Sequence, residues 1–286
     1  MTIKTLLMPM IDAEPPPATL ALTCALASRL DALATGFFVR SDPRTAIPFM
    51  GEALTADAIK DLCKAAEEEA TEMAATAKTA LFAAAQKAGL ATQAHPVQGG
   101  AAQWEEVLGQ FDDHVGRRAR LADLTLVAKP RKESDRLRGD LLREVLFRSG
   151  RPLMVVPDGL AARCPQTVAI AWNGRAEAAR AMAAAVPLLQ AADQSVLVTI
   201  GEPHPDRPTA HDAQTYLSHY GIAADIVADP LDDRHVGPTL MARTRDLKAD
   251  CLVMGAYSHS RWREMILGGV TRHAIHHADL PLLISH

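Results

Sequence analysis

The stretch Ala249-Asp250-Cys251-Leu252-Val253-Met254-Gly255 repeats, 127 residues on, the pattern of Ala122-Asp123-Leu124-Thr125-Leu126-Val127-Ala128. In both, an Ala-Asp pair leads into an apolar run of strand length, the pattern of a strand covered on both faces in a parallel sheet. A second match follows: Pro152 before LMVV recurs as Pro281 before LLIS, 129 residues on. The later copy thus carries two extra residues between these strands, in the segment AYSHSRWREMILGGVTRH that begins at Ala256.

Outward from these anchors, the first half reads as strands at residues 3–11, 35–39, 92–97, 123–128 and 152–156. They alternate with helices at 18–33, 55–89, 101–121 and 137–149. After Pro157-Asp158-Gly159 the order restarts. Strands are expected at 167–172, 195–200, 222–228, 250–255 and 281–285, and helices at 175–191, 209–221, 235–248 and 268–277. The expected fold is α/β: two tandem doubly wound, five-stranded parallel-sheet domains, Rossmann-like, at residues 1–158 and 164–286. The short link between them implies that they pack together as an intramolecular pair.

A hydrophobic content of 48% against 22% charged residues suits a folded domain rather than a disordered chain. With a formal net charge of −4 there is no global positive field for nucleic acid, which favours a small, locally recognised ligand. Cys24, Cys63, Cys164 and Cys251 form no CxxC pair, so neither a disulfide framework nor a zinc knuckle is expected, and a reducing compartment is. The apolar start is broken by Asp12 and Pro15 to Pro17 before it reaches signal or membrane-span length, and a cytoplasmic location follows as the expectation.

In an open α/β sheet, ligands bind beyond the carboxyl ends of the strands where the strand order reverses. The loop there in the second half runs from Met254-Gly255 through Ser258 to Gly268-Gly269-Val270-Thr271, which opens a helix. Glycines let a backbone approach a pyrophosphate, the N–H groups at a helix start bind its oxygens, and a Thr hydroxyl adds a donor. Asn173, after the first strand of that half, offers amide and carbonyl groups nearby.

These residues resemble the ATP loop of the universal stress protein family, G-x2-G-x9-G-[S/T], and the whole chain is similar to a tandem member. Gly255, Ser258 and Gly268 fall on the glycine positions, Gly269 on the Ser/Thr position, and Val270 and Thr271 follow. The resemblance implies an open parallel sheet, pairing through the fifth strands, a possible homodimer, and ATP or a related adenine nucleotide as ligand. Asn173 stands where the family usually has an Asp near adenine and ribose. The departures at Ser258, Gly269 and Asn173 leave a second reading, a protein-interaction module with both sites decayed and an unidentified protein partner.

The first half has Asp12 after its first strand, but Ala128-Lys129-Pro130 where Gly255 would be and Gly139-Asp140 where Gly268-Gly269 would be. An acidic residue at a helix start repels phosphate, so the first site is expected to be empty. Arg131, Lys132, Arg136 and Arg138 read as a solvated basic loop.

Ser258-His259-Ser260 reads as loop polarity, since no G-x-S-x-G elbow is present. Arg261, Arg263 and Glu264 read as a solvated face, and Trp262 as an anchor of the loop. His273, His276 and His277 are explained by a helix C-terminus rather than by a metal. Neither metal nor catalysis is expected. The Ala-rich helix around residues 67–86 reads as packed closely on the sheet, with a partner face as the alternative.

Overall fold

The computed structural model describes residues 2–12, 14–41, 55–95, 97–132, 134–160, 163–231, 235–256 and 269–286. Their first half contains β1 (Thr5–Met10), α1 (Pro17–Leu30), β2 (Leu33–Arg40), α2 (Ala56–Lys87), β3 (Ala91–Thr92), β4 (Ala101–Leu108), α3 (Phe111–Ala119), β5 (Leu124–Ala128), α4 (Arg136–Arg148) and β6 (Leu153–Val156). The second contains β7 (Thr167–Ala171), α5 (Ala176–Ala191), β8 (Gln194–Ile200), α6 (Ala210–Ser218), β9 (Ala224–Asp229), α7 (Val236–Asp246), β10 (Cys251–Gly255), α8 (Gly269–His277) and β11 (Leu282–Ser285).

All of these strands belong to one 11-stranded sheet, in the order β3-β4-β2-β1-β5-β6-β11-β10-β7-β8-β9. From the middle outward each half repeats the same order of strands, five, four, one, two, three, with β3 added at one edge. Pairing is parallel except at the centre, where β6 and β11 run antiparallel with Leu282 opposite Val155 and Ile284 opposite Leu153. The fifth strands therefore fuse two doubly wound units into one sheet with an intramolecular pseudo-dyad.

Burial on both faces explains the composition of the central strands. Leu6, Leu124, Leu126, Met154, Ile170 and Val253 point into a core shared with α1 and α5. Leu7, Val127, Val155, Leu252, Met254 and Ile284 point into the opposite core, under α4, α7 and α8. Successive strand residues alternate between the two, as the pleat requires.

The third strand of the first half differs from the sequence expectation. Residues 92–97 were expected to be that strand and 101–121 a helix. Only Ala91 and Thr92 form β3, and residues 101–108 are the eight-residue β4. β4 pairs with β2 along its full length, from Leu33 opposite Ala101 to Arg40 opposite Leu108. Ala101 and Ala102 have helix-favouring side chains, but this ladder overrides that local preference. Gly100 makes the entry possible: its φ is +83°, and a Cβ there would stand 2.5 Å from the carbonyl oxygen of Ala27. The Ala-rich stretch lies in α2, where Ala74, Ala77, Leu81 and Ala85 are buried; among its described side chains, those before Ala74 are partly or fully exposed.

Candidate functional site

The strand order reverses twice, between β1 and β5 and between β7 and β10. These two crevices are where the fold can hold a ligand, and they are built differently.

At the first, α4 begins at Arg136 after Asp135, whose carboxylate accepts from the N–H of Arg138 (3.4 Å) and of Arg131 (3.1 Å). Gly139-Asp140, expected at the helix opening, lie inside it instead, and Asp140 pairs with Arg143 along the helix. The Arg138 guanidinium turns into the crevice. Nη2 donates to Asp12 Oδ2 at 3.0 Å, Nη1 donates to the Lys129 carbonyl at 3.1 Å, and Asp135 and Asp158 lie 3.9 and 3.5 Å away. At 2% exposure Arg138 does not belong to a solvated basic loop, which corrects that expectation. A buried guanidinium is held by such partners because an unpaired one is too costly. The cavity left between Met10, Asp12, Pro16, Arg138 and Leu141 measures about 10 Å³, room for roughly one water.

At the second crevice, β7 is followed by buried Trp172, whose indole N–H is shared between the carbonyls of Pro208 (3.1 Å) and Thr209 (3.0 Å). That bond holds the loop into α6, where Thr209 and Asp212 form a capping box. Asn173 is exposed, and its Oδ1 accepts from the Arg175 N–H at 3.1 Å, an Asx turn that leads into α5. Trp172 has a positioning role that its sequence context, an indole directly after a strand, could have suggested.

Gly255 closes β10. A Cβ there would stand 2.6 Å from Ala178 N and from the Glu177 carbonyl carbon, so this glycine lets the start of α5 pack against the strand end. Met254 is buried in the ladder opposite Ile284, which leaves only its backbone for any ligand. Ala256 follows, its N–H donating to the Ser285 carbonyl at 2.8 Å.

The described part of α8 starts at exposed Gly269, with no described residue within 4 Å of where a Cβ would be, and continues with half-buried Val270 and buried Thr271. Its first turn carries no acidic side chain. Among the described residues the two helix starts differ: the first is carboxylate-capped with Arg138 in its crevice, whereas the second carries Gly269 with no described neighbour within 4 Å. Ser258, His259, Ser260, Arg261, Trp262, Arg263, Glu264 and Gly268 lie outside the described residues.

Along α8, His273 and His277 stack with ring centroids 4.1 Å apart. Burial holds the His273 imidazole below its ordinary pKa, with repulsion from His277 and Arg245 adding to the effect. No group of three His, Cys, Asp or Glu among the described residues could hold a metal. Burial pushes the thiols of Cys24 and Cys251 up to about 12, so both stay protonated and unreactive. Among the described residues no helix is long and apolar enough to cross a membrane.

Two doubly wound α/β units that share one sheet through their fifth strands, with Gly255 closing β10 at one crevice, define the fold class. The universal stress protein family model matches residues 165–286, the second half of the chain. Over the whole chain the fold is similar to a universal stress protein from Archaeoglobus fulgidus DSM 4304, at 13% identity over 98% of this chain and 97% of that one, with a TM-score of 0.69. A putative universal stress protein from Pseudomonas aeruginosa UCBPP-PA14 is similar at 10% identity over 99% and 93%, with a TM-score of 0.56. A universal stress protein solved in complex with cAMP shares 24% identity over 43% of this chain and 98% of that one, with a TM-score of 0.36. No curated protein matches the chain.

Proposed function

We propose that this protein is a cytoplasmic stress-response binding protein that holds ATP or a related adenine nucleotide in its C-terminal domain, residues 164–286, and acts by regulation rather than catalysis. The N-terminal domain, residues 1–158, is its degenerate structural partner. The observation that carries this reading is the contrast between the crevices. Arg138 fills the first, whereas at the second the described part of α8 starts at Gly269, with no described neighbour within 4 Å and no acid in its first turn.

The first N–H groups of a helix lack intrahelical acceptors and carry the positive end of its dipole, which suits phosphate. The N–H groups of Gly269, Val270 and Thr271 take that role, with Gly255, Ser258 and Gly268 completing the loop of the family pattern. Asn173 lies on the ribose side of the same crevice.

Titration of the purified protein with ATP tests the proposal. Saturable binding that is lost in Gly269→Asp is expected, because no described residue stands within 4 Å of the new side chain while its carboxylate repels phosphate. No saturation at millimolar nucleotide, or unchanged binding in the variant, overturns the site.

One observation favours the second reading, a protein-interaction module: the Asn173 carbonyl is engaged by its own backbone turn. Native mass spectrometry separates the two readings, through co-purified nucleotide in one case and a bound protein in the other.

A further inference from the structure

Lys129 occupies in the first half the position that Ala256 occupies in the second, directly after the strand that flanks the crevice. Ala256 stays within its own half. Lys129 crosses the β6·β11 junction, and its Nζ donates to the carbonyl of Ala278 at 2.6 Å. Ala278 directly follows α8, and its N–H closes on the Ala274 carbonyl at 2.8 Å. An ammonium anchored in one domain therefore holds the C-terminal end of the helix whose N-terminal end is the proposed phosphate turn.

The last carbonyls of a helix lack partners and carry its negative end, so a cation is well placed there. His276 and His277 also lie in the last turn, but they belong to α8 and move with it. Arg245 and Asp279 are nearby, 4.0 Å from each other. Lys129 is fixed at its base: its N–H donates to the Val156 carbonyl at 2.8 Å, and its carbonyl accepts from Arg138. A continuous chain of contacts thus runs from Asp12 through Arg138 and Lys129 to Ala278 and α8.

We propose that Lys129 is a positioning residue through which the N-terminal domain sets the placement of α8 and thereby tunes nucleotide affinity in the C-terminal domain. The inference rests on the nucleotide reading above. A helix start binds phosphate through N–H groups of fixed direction, so a small tilt of α8 changes that geometry, and Lys129 contacts the opposite end of the helix.

The test uses the full chain: wild type, Lys129→Met and Lys129→Gln, each titrated with ATP, with amide hydrogen exchange followed in α8 without nucleotide. Lys129→Met is expected to bind ATP about five- to tenfold more weakly and to exchange faster in α8. Lys129→Gln keeps a neutral donor, and about a threefold loss is expected. Wild-type affinity and α8 exchange in these variants, even with a lowered Tm, mean a purely structural lysine and overturn the inference. Absence of ATP binding in the wild-type arm overturns the nucleotide site itself, and with it this inference. That outcome is distinct because it needs no variant.

Discussion

Arg138 and Asp12, 126 positions apart, meet at 3.0 Å across the crevice between α4 and β1, with the arginine 2% exposed. In that crevice a guanidinium of the chain itself takes the place that an anion-binding helix start would leave open.

Replacing Arg138 by Met is therefore expected to destabilise the protein although it is far from the proposed nucleotide site. It leaves Asp12 and the Lys129 carbonyl without their donor. Because Asp12 keeps some contact with water, the cost should be about 2–3 kcal/mol, below that of breaking a fully buried pair. Urea unfolding measures it, and a loss under 0.5 kcal/mol would mean that the cluster is incidental.

Gly255 and Gly269 should respond oppositely to a side chain. Gly255→Ala drives a Cβ to 2.6 Å from backbone atoms of α5, with an expected cost of about 2–3 kcal/mol. Gly269→Ser meets no described residue within 4 Å, and its stability should stay within about 0.5 kcal/mol of wild type. The added hydroxyl restores the family pattern, so ATP binding by Gly269→Ser is expected to equal or exceed that of wild type. Thermal melts and ATP titration of both variants decide this.

His273 should make the protein less stable in mild acid. Its imidazole is held below the ordinary value by burial first, and by His277 and Arg245 after that. As pH falls through the unfolded value of about 6.5, the unfolded chain takes up the proton before the folded one does. The slope of stability with pH is then positive, and stability is lost on acidification. His273→Phe should flatten the fall in Tm between pH 7.5 and 5.5, as read by calorimetry; an unchanged slope rejects the assignment.

Met154→Lys tests the fusion of the two halves. Met154 lies opposite Leu283 in the antiparallel β6·β11 pair, and both are fully buried. A lysine there places a charge in the core, with an expected loss of more than about 3 kcal/mol and a sharply lower Tm. Wild-type stability would mean that the halves do not depend on this seam.

Much of this was legible in the sequence because it is local. Short apolar runs bounded by Pro, Gly and Asp set the strands at 5–10, 124–128, 153–156, 251–255 and 282–285. The Ala-Asp and Pro matches exposed two units of like order, and the Gly255 to Thr271 loop carried the family resemblance. Binary pattern and turn chemistry suffice where both faces of a strand are covered.

What the sequence could not decide depends on partners far along the chain. Residues 101–108 read as helix because alanine, glutamine and glutamate favour one, but the full-length ladder with β2 makes them a strand. Arg138 read as a solvated loop residue because its acceptors Asp12 and Asp158 lie on other segments. Lys129 carried no signal at all, since its acceptor belongs to the other domain. Period and propensity report the nearest few residues. The cost of burying a charge or leaving an edge unpaired is settled only when the whole sheet brings its segments together.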